Sequence, residues 1–293
     1  MKARHSEKIN SKSSKESCES CFLSIFVCLS LLFLISTIIL STLYFQEKNS
    51  NINKKIYTRQ LEDTIEERRI PVISNVSEEG GASRIQGKYD IKNSKYFKYI
   101  DIFNMKSSGS LILLEKFKTY QQTSGYTCGE AALIMAINYL SGKVLNETDL
   151  AIKAHANKKN GTTIHNLEKL VENLGYEYES KTTFGKSSPS LTEEAFSDYI
   201  KEALKNKEPI ISLSNDWGGH YSVIIGYDDM GTKDYLEDDV IILADPYDTS
   251  DHMSDGYTIF NYQRFYAQMK IKVFNIVDQD LNFIRIKRKN KAN

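Results

Sequence analysis

Residues 22–45 form a run of 24 residues without a charged side chain, and this run most constrains what the chain can fold into. About 20 apolar residues suffice for a helix to cross a bilayer. The apolar core of a cleaved signal peptide is usually shorter, about 7–15 residues, and is followed by a small-residue cleavage site. The length of the run therefore predicts an uncleaved transmembrane anchor.

Lysine and arginine residues flank this run on both sides. Five precede it within the tail of residues 1–21, and four follow it closely, the last being Arg59. The small excess before the run and the shortness of the tail both favour a cytoplasmic N-terminus. We therefore expect a single-pass membrane protein whose larger, C-terminal part lies outside the cytoplasm.

The remainder of the chain divides by composition. Residues 46–108 are polar, mixed in charge and without sustained periodicity, which predicts a linker or stalk, with a pro-region as the alternative. Residues 109–293 carry periodic apolar runs and form the expected folded domain. Its helical patterns come first and its strand patterns follow, so the predicted class is α+β with a mostly antiparallel sheet.

The helical patterns of this domain lie at 128–140, at 164–174 and behind Ser190, which has capping-box spacing to Glu193. The first of them is apolar almost all round, which is typical of a helix buried in a core. A short helix is predicted near 261–269. Strands are predicted in the runs "SLILLEKFK", "PIISLS", "HYSVIIGY", "DVIILAD", "YTIF" and "VFNIV".

Cys128 is the only cysteine after residue 28, and it stands at the start of the apolar helical run. The folded domain therefore cannot hold an internal disulfide or a zinc site built from several thiolates. A free thiol has a pKa near 8.5, and the positive end of a helix together with a neighbouring imidazole increases its reactive thiolate fraction. Cys128 is thus the candidate nucleophile, and a buried structural thiol is the alternative.

His220 and Asp245 are the candidate partners of this thiol. His220 opens a predicted core strand behind two glycines, and Asp245 ends the next predicted strand. If the two strands pair antiparallel, the start of the first lies beside the end of the second, so the two side chains meet. The carboxylate would then hold one ring nitrogen and orient the other towards sulfur. The alternative for Asp245 is a turn aspartate before Pro246.

Gln122 precedes Cys128 by six residues, and Gln121 is its neighbouring competitor. A tetrahedral intermediate carries an oxyanion that needs fixed hydrogen-bond donors. The side-chain amide of Gln122 and the backbone N–H of Cys128 can supply them.

The overall charge argues against other classes of function. Lysine plus arginine equals aspartate plus glutamate, at 38 each, so nucleic acid is not expected as a partner. Residues 228–255 are rich in aspartate and glutamate but do not fit the twelve-residue calcium loop. We expect this stretch to be a solvated loop face, and we expect no metal and no cofactor.

The combination of Gln122, "CGEAAL" from Cys128, "GGHYSVIIGYDD" and "ADPYD" resembles the papain-like cysteine peptidases. It is most similar to the bacteriocin-leader (double-glycine) peptidases and their stand-alone relatives, over about residues 109–275. The resemblance implies a papain-like fold whose central buried helix carries the nucleophile and packs on the sheet. It also implies Cys128 as nucleophile, His220 as base, Asp245 as orienting acid and Gln122 as oxyanion donor. Leader peptidases of this family are typically fused to an ATP-driven exporter, whereas this chain has no Walker-type phosphate loop.

The expected activity is therefore hydrolysis of peptide bonds in a peptide or protein substrate by a membrane-anchored thiol peptidase. Two alternatives stay open. One is an acyl transferase or transpeptidase that uses the same nucleophile with an amine acceptor. The other is a catalytically inactive peptide-binding module.

Overall fold

The structure is a computed structural model that describes residues 25–49, 67–78, 80–84, 90–181, 191–270 and 281–288. The chain separates into two compact units, Met1–Asp63 and Thr64–Asn293. The predicted strand "VFNIV" lies outside the described residues.

The described part of the first unit is one long helix, α1 (Ile25–Asn49). Its apolar side chains are exposed along its whole length, and it coincides with most of the uncharged run at 22–45. At 1.5 Å per residue, 25 residues span about 37 Å, which exceeds the roughly 30 Å hydrocarbon core of a bilayer. The helix is therefore long and apolar enough to be either a membrane anchor or a signal sequence.

The described part of the second unit contains seven strands that form one antiparallel sheet. The strands are β1 (Leu111–Leu113), β2 (Glu177–Ser180), β3 (Ile210–Ser214), β4 (His220–Asp228), β5 (Val240–Ala244), β6 (Tyr257–Asn261) and β7 (Phe283–Lys287). Their order in the sheet is β2-β7-β3-β4-β5-β6, and β1 pairs with the end of β4 that lies farther from His220. The predicted α+β class with an antiparallel sheet is confirmed.

The part of the second unit that the structure describes also contains five α-helices. They are α2 (Cys128–Ser141), α3 (Glu147–Lys153), α4 (Ile164–Asn173), α5 (Glu193–Lys205) and α6 (Tyr262–Lys270). The first of these, α2, is buried on nearly every side and lies against β4. Its small residues Ala131, Ala132 and Ala136 are completely buried, so the helix backbone can approach the sheet closely.

Two local expectations differ from the structure. The cap of α5 is Thr192 rather than the predicted Ser190, since the Thr192 side chain accepts from the backbone N–H of Ala195. Ser190 itself lies outside the described residues. The end of the chain also contributes β7, which pairs with both β2 and β3 and which the sequence did not predict.

The described residues between 67 and 108, which the sequence assigned to a linker, contact the rest of the second unit. Ile70, Ile102 and Phe103 belong to its buried core. The backbone N–H of Ile70 donates to the carbonyl oxygen of Thr119, at 2.9 Å. This unit therefore includes residues before the predicted boundary at 109.

Candidate active site

Cys128 is the first residue of α2, at the positive end of a fourteen-residue helix. The residue is only 9 % exposed, so it is largely shielded from water. The helix stays buried behind it because its next two turns contain only apolar and small residues apart from Glu130. The sequence thus fixes the thiol to a rigid element of the core.

His220 and Asp245 meet where the register of the sheet predicts. Strands β4 and β5 pair antiparallel, with Val223 opposite Ala244, so the start of β4 lies beside the residue that follows β5. The Nε2 atom of His220 is 2.6 Å from Oδ1 of Asp245. Both residues are buried, which removes competing water from this hydrogen bond.

The pKa of His220 is raised well above its usual value. Burial alone lowers the pKa, but the Asp245 carboxylate and the Cys128 side chain outweigh it through charge and hydrogen bonding. Because Nε2 faces Asp245, Nδ1 is the ring nitrogen left for the thiol. The three side chains therefore form one line of contacts that favours a charged imidazolium.

The carboxylate of Asp245 is itself held in place. The Oδ1 atom of Asp245 also accepts from the backbone N–H of Tyr247 at 2.8 Å. The backbone N–H of Asp245 donates to the carbonyl oxygen of Gly256 at 2.9 Å. These bonds fix the direction from which Asp245 meets the imidazole of His220.

Gln122 is buried, and its position is fixed by its backbone. Its N–H donates to the carbonyl oxygen of Pro246 at 3.1 Å, and its side-chain Nε2 donates to the carbonyl oxygen of Ser124 at 2.8 Å. The Nε2 group carries a second hydrogen, which can serve another acceptor. Gln121 turns elsewhere, because its Nε2 donates to the carbonyl oxygen of Ser254 at 2.9 Å.

Glu130 is a buried acid behind the nucleophile that the sequence analysis did not single out. Burial raises its pKa to about 7, although a hydrogen bond from the Thr162 hydroxyl opposes the shift. An acid inside an otherwise apolar helix is the signal that could have revealed it, since such a group needs a buried partner. The neighbouring Gly129 faces the core: a Cβ there would lie 3.0 Å from Leu167 and 3.2 Å from Tyr221.

The acidic stretch 228–255 is only in part the solvated face that was expected, because Asp234 and Glu237 are exposed but three of its acids are not. Asp239, Asp248 and Asp255 are buried, and burial raises the pKa of Asp248 to about 8 and that of Asp255 to about 7. The Asp248 carboxylate accepts from the backbone N–H groups of Ser250 and Gly256, so it holds the turn around Asp245. Among the described residues, no cluster of histidine, cysteine, aspartate and glutamate has metal-binding geometry.

Comparisons with known proteins found a matching family and similar solved structures. A sequence model of the Peptidase_C39-like family matches residues 114–272, which is more than half of the chain. One similar solved structure is the peptidase domain of Streptococcus ComA, a bi-functional ABC transporter involved in a quorum sensing pathway. It is 20 % identical with a TM-score of 0.40, covering 59 % of this chain and 99 % of that domain. No curated protein matches the chain.

Proposed function

The chain belongs to the Peptidase_C39-like family, and from that premise we propose that it is a membrane-anchored thiol peptidase with Cys128, His220, Asp245 and Gln122 as its catalytic residues. The observation that carries the proposal is the 2.6 Å hydrogen bond between His220 and Asp245, beside the thiol of Cys128. This arrangement stabilises an imidazolium and therefore the thiolate that pairs with it.

The reaction follows from these groups. The Cys128 thiolate adds to the substrate carbonyl carbon, and the resulting oxyanion accepts hydrogen bonds from the Gln122 side chain and the Cys128 backbone N–H. The His220 imidazolium protonates the leaving amine as the carbon–nitrogen bond breaks, which leaves a thioester on Cys128. A water molecule, deprotonated by His220, then attacks the thioester, which releases the carboxylic acid product and restores the thiolate of Cys128 beside the His220 imidazolium.

The location of the enzyme follows from α1 and the flanking charges. An exposed apolar helix of 25 residues supports a membrane anchor, and the basic tail before it supports a cytoplasmic N-terminus. The peptidase unit then faces substrates outside the cytoplasm. Its partner is a peptide or protein chain, and its chemistry needs no metal or cofactor.

Alkylation of Cys128 by iodoacetamide tests the proposal in the full chain, in detergent, with Cys18, Cys21 and Cys28 replaced by serine. We expect rapid alkylation at pH 6, where a free thiol of pKa about 8.5 is almost unreactive. The variant His220→Ala should return the pH profile to that of a free thiol. His165→Ala, on an exposed face of α4, is the matched control and should leave it unchanged.

If the parent chain and His220→Ala both react like a free thiol, Cys128 is not activated. That result overturns the proposal that these residues form the active site of a peptidase.

A further inference from the structure

The loop Tyr120–Thr127 joins the proposed oxyanion donor to the nucleophile, and we call it the oxyanion loop. It contains Gln122 and ends at the residue before Cys128. The catalytic geometry depends on this loop because a donor displaced by about 1 Å loses much of its effect on the transition state. What holds the loop therefore matters as much as which residues it carries.

Glu147, the first residue of α3, binds both ends of the oxyanion loop with one carboxylate. The Tyr120 hydroxyl donates to it at 2.9 Å, the backbone N–H of Thr123 at 3.0 Å, and the Thr127 hydroxyl also donates to it. The residue is 1 % exposed, so these hydrogen bonds to a charged acceptor are not weakened by water. Glu147 thus closes the loop around Gln122.

A second support comes from residues 73–78 and 80–83, which we call the buttress segment. The backbone N–H of Glu78 donates to the carbonyl oxygen of Thr123 at 2.9 Å, and that of Ser83 donates to the carbonyl oxygen of Gln122 at 3.1 Å. The hydroxyl of Ser74 lies 2.9 Å from that of Thr123. The buttress segment is thus hydrogen-bonded to two consecutive carbonyl groups of the oxyanion loop, those of Gln122 and Thr123.

The two supports are connected to each other. The backbone N–H of Glu147 donates to the carbonyl oxygen of Ile73, at 2.8 Å. The Thr148 hydroxyl accepts from the backbone N–H of Asn75 at 2.9 Å. The same hydroxyl lies 2.9 Å from the hydroxyl of Ser74. The start of α3 and the buttress segment therefore hold the loop as one unit.

Gly81 is the closest point of approach between the buttress segment and the oxyanion loop. A Cβ atom at this position would lie 2.4 Å from the carbonyl oxygen of Thr123 and 3.1 Å from the backbone nitrogen of Ser124. Because both neighbours are backbone atoms, the loop or the segment would have to move. At the adjacent Gly80, a Cβ would meet only Gly125, at 3.8 Å, an ordinary contact.

We propose that Glu147 and Gly81 are positioning residues that fix Gln122 for oxyanion binding, so that the buttress segment is part of the working enzyme. The inference rests on the proposed function of Gln122 and Cys128. It also assigns a role to residues that precede the matched family region of 114–272. If the buttress segment instead covered the active site and blocked substrate, displacing it would raise the activity rather than lower it.

Two reactions of Cys128 separate positioning of Gln122 from activation of the thiol. Acylation by p-nitrophenyl acetate passes through an oxyanion and releases p-nitrophenolate, whereas alkylation by iodoacetamide displaces iodide and forms no oxyanion. Both are measured on the full chain in detergent, with the other three cysteines replaced by serine. We expect Gly81→Ala and Glu147→Gln to slow acylation at least about tenfold, part of the 10²–10³-fold loss known for deleted donors.

The same variants should keep the alkylation rate of the parent chain. Gly80→Ala and Asp149→Asn are matched controls, the second being an exposed acid on the same helix as Glu147, and both should keep both rates. The proposal is overturned if Gly81→Ala acylates as fast as the parent or faster, the latter marking a buttress segment that blocks substrate. Loss of both reactions in Gly81→Ala and Glu147→Gln also overturns it, because the thiol itself is then disturbed. A parent chain with an inert thiol overturns the proposed function instead.

Discussion

The backbone N–H of Gln122 donates to the carbonyl oxygen of Pro246 across 3.1 Å, which joins the loop in front of α2 to the turn behind β5. Pro246 directly follows Asp245, so the proposed oxyanion donor and the proposed orienting acid share one hydrogen-bonded frame. A shift of either loop is transmitted to the other through this bond. The two halves of the site are therefore expected to respond together to substitutions.

Replacing Asp245 by Asn should slow the alkylation of Cys128 near pH 6. In the parent chain the raised pKa of His220 lets the imidazole keep a proton beside the thiol, which favours the thiolate–imidazolium pair at a pH where a free thiol is almost unreactive. The Asp245 carboxylate opposes the lowering effect of burial, so its loss lowers the pKa of His220. The measurement is the pH profile of the alkylation rate at Cys128.

The exposed acid Asp234 supplies the control for this experiment, since Asp234→Asn removes the same charge from the connection between β4 and β5, at the opposite end of β4 from His220. Its profile should overlay that of the parent chain. An Asp245→Asn profile that also overlays the parent would show that this carboxylate does not act on His220.

Replacing Gln122 by Ala should lower the rate of acylation by p-nitrophenyl acetate about 10²–10³-fold, or roughly 3–4 kcal/mol of transition-state stabilisation. Alkylation by iodoacetamide should be unchanged, because it forms no oxyanion. Gln121→Ala is the paired variant, since that side chain is bonded to Ser254. If Gln121→Ala caused the larger loss of acylation, the assignment of the donor would have to be exchanged.

The apolar helix α1 should keep the full chain in the membrane fraction after alkaline carbonate extraction, and deletion of residues 22–45 should release it. An apolar helix in the bilayer resists extraction because burial of its side chains is not reduced by charge screening. The N-terminal sequence of the membrane-bound protein distinguishes an anchor from a cleaved signal. A mature chain that begins after residue 45 would exclude the anchor.

The site was predictable where the chain pattern alone determines contacts. The apolar run behind Cys128 predicted a buried helix, and the two apolar runs that contain His220 and precede Asp245 predicted an antiparallel pair. These three features bring the thiol, the imidazole and the carboxylate together, as the hydrogen bond between His220 and Asp245 illustrates. Glu147 was not predictable, because its partners lie 20–27 residues earlier in the sequence and no local pattern links them to it.

Strand β7 was missed for a related physical reason. Arg285 and Lys287 interrupt its apolar pattern, yet the side chain of Arg285 is only 3 % exposed. Its guanidinium is neutralised by Glu208, at 2.6 Å, and by Glu202, at 3.2 Å, both about 80 residues earlier. A buried charge with distant partners cannot be distinguished from an exposed one by local composition.

Replacing Glu130 by Gln should remove one contribution to the pH dependence of stability. Burial raises the pKa of Glu130 from 4.5 to about 7 in the folded chain, so the folded state binds more protons than the unfolded state between these values. This contribution is fully present below about pH 4.5 and is lost as the pH rises towards 7, by up to about 3 kcal/mol. Urea unfolding of the full chain in detergent, followed by its single tryptophan, measures the free energy at each pH. The parent chain should lose stability relative to Glu130→Gln between pH 4 and pH 8, whereas parallel curves would contradict a buried, proton-holding Glu130.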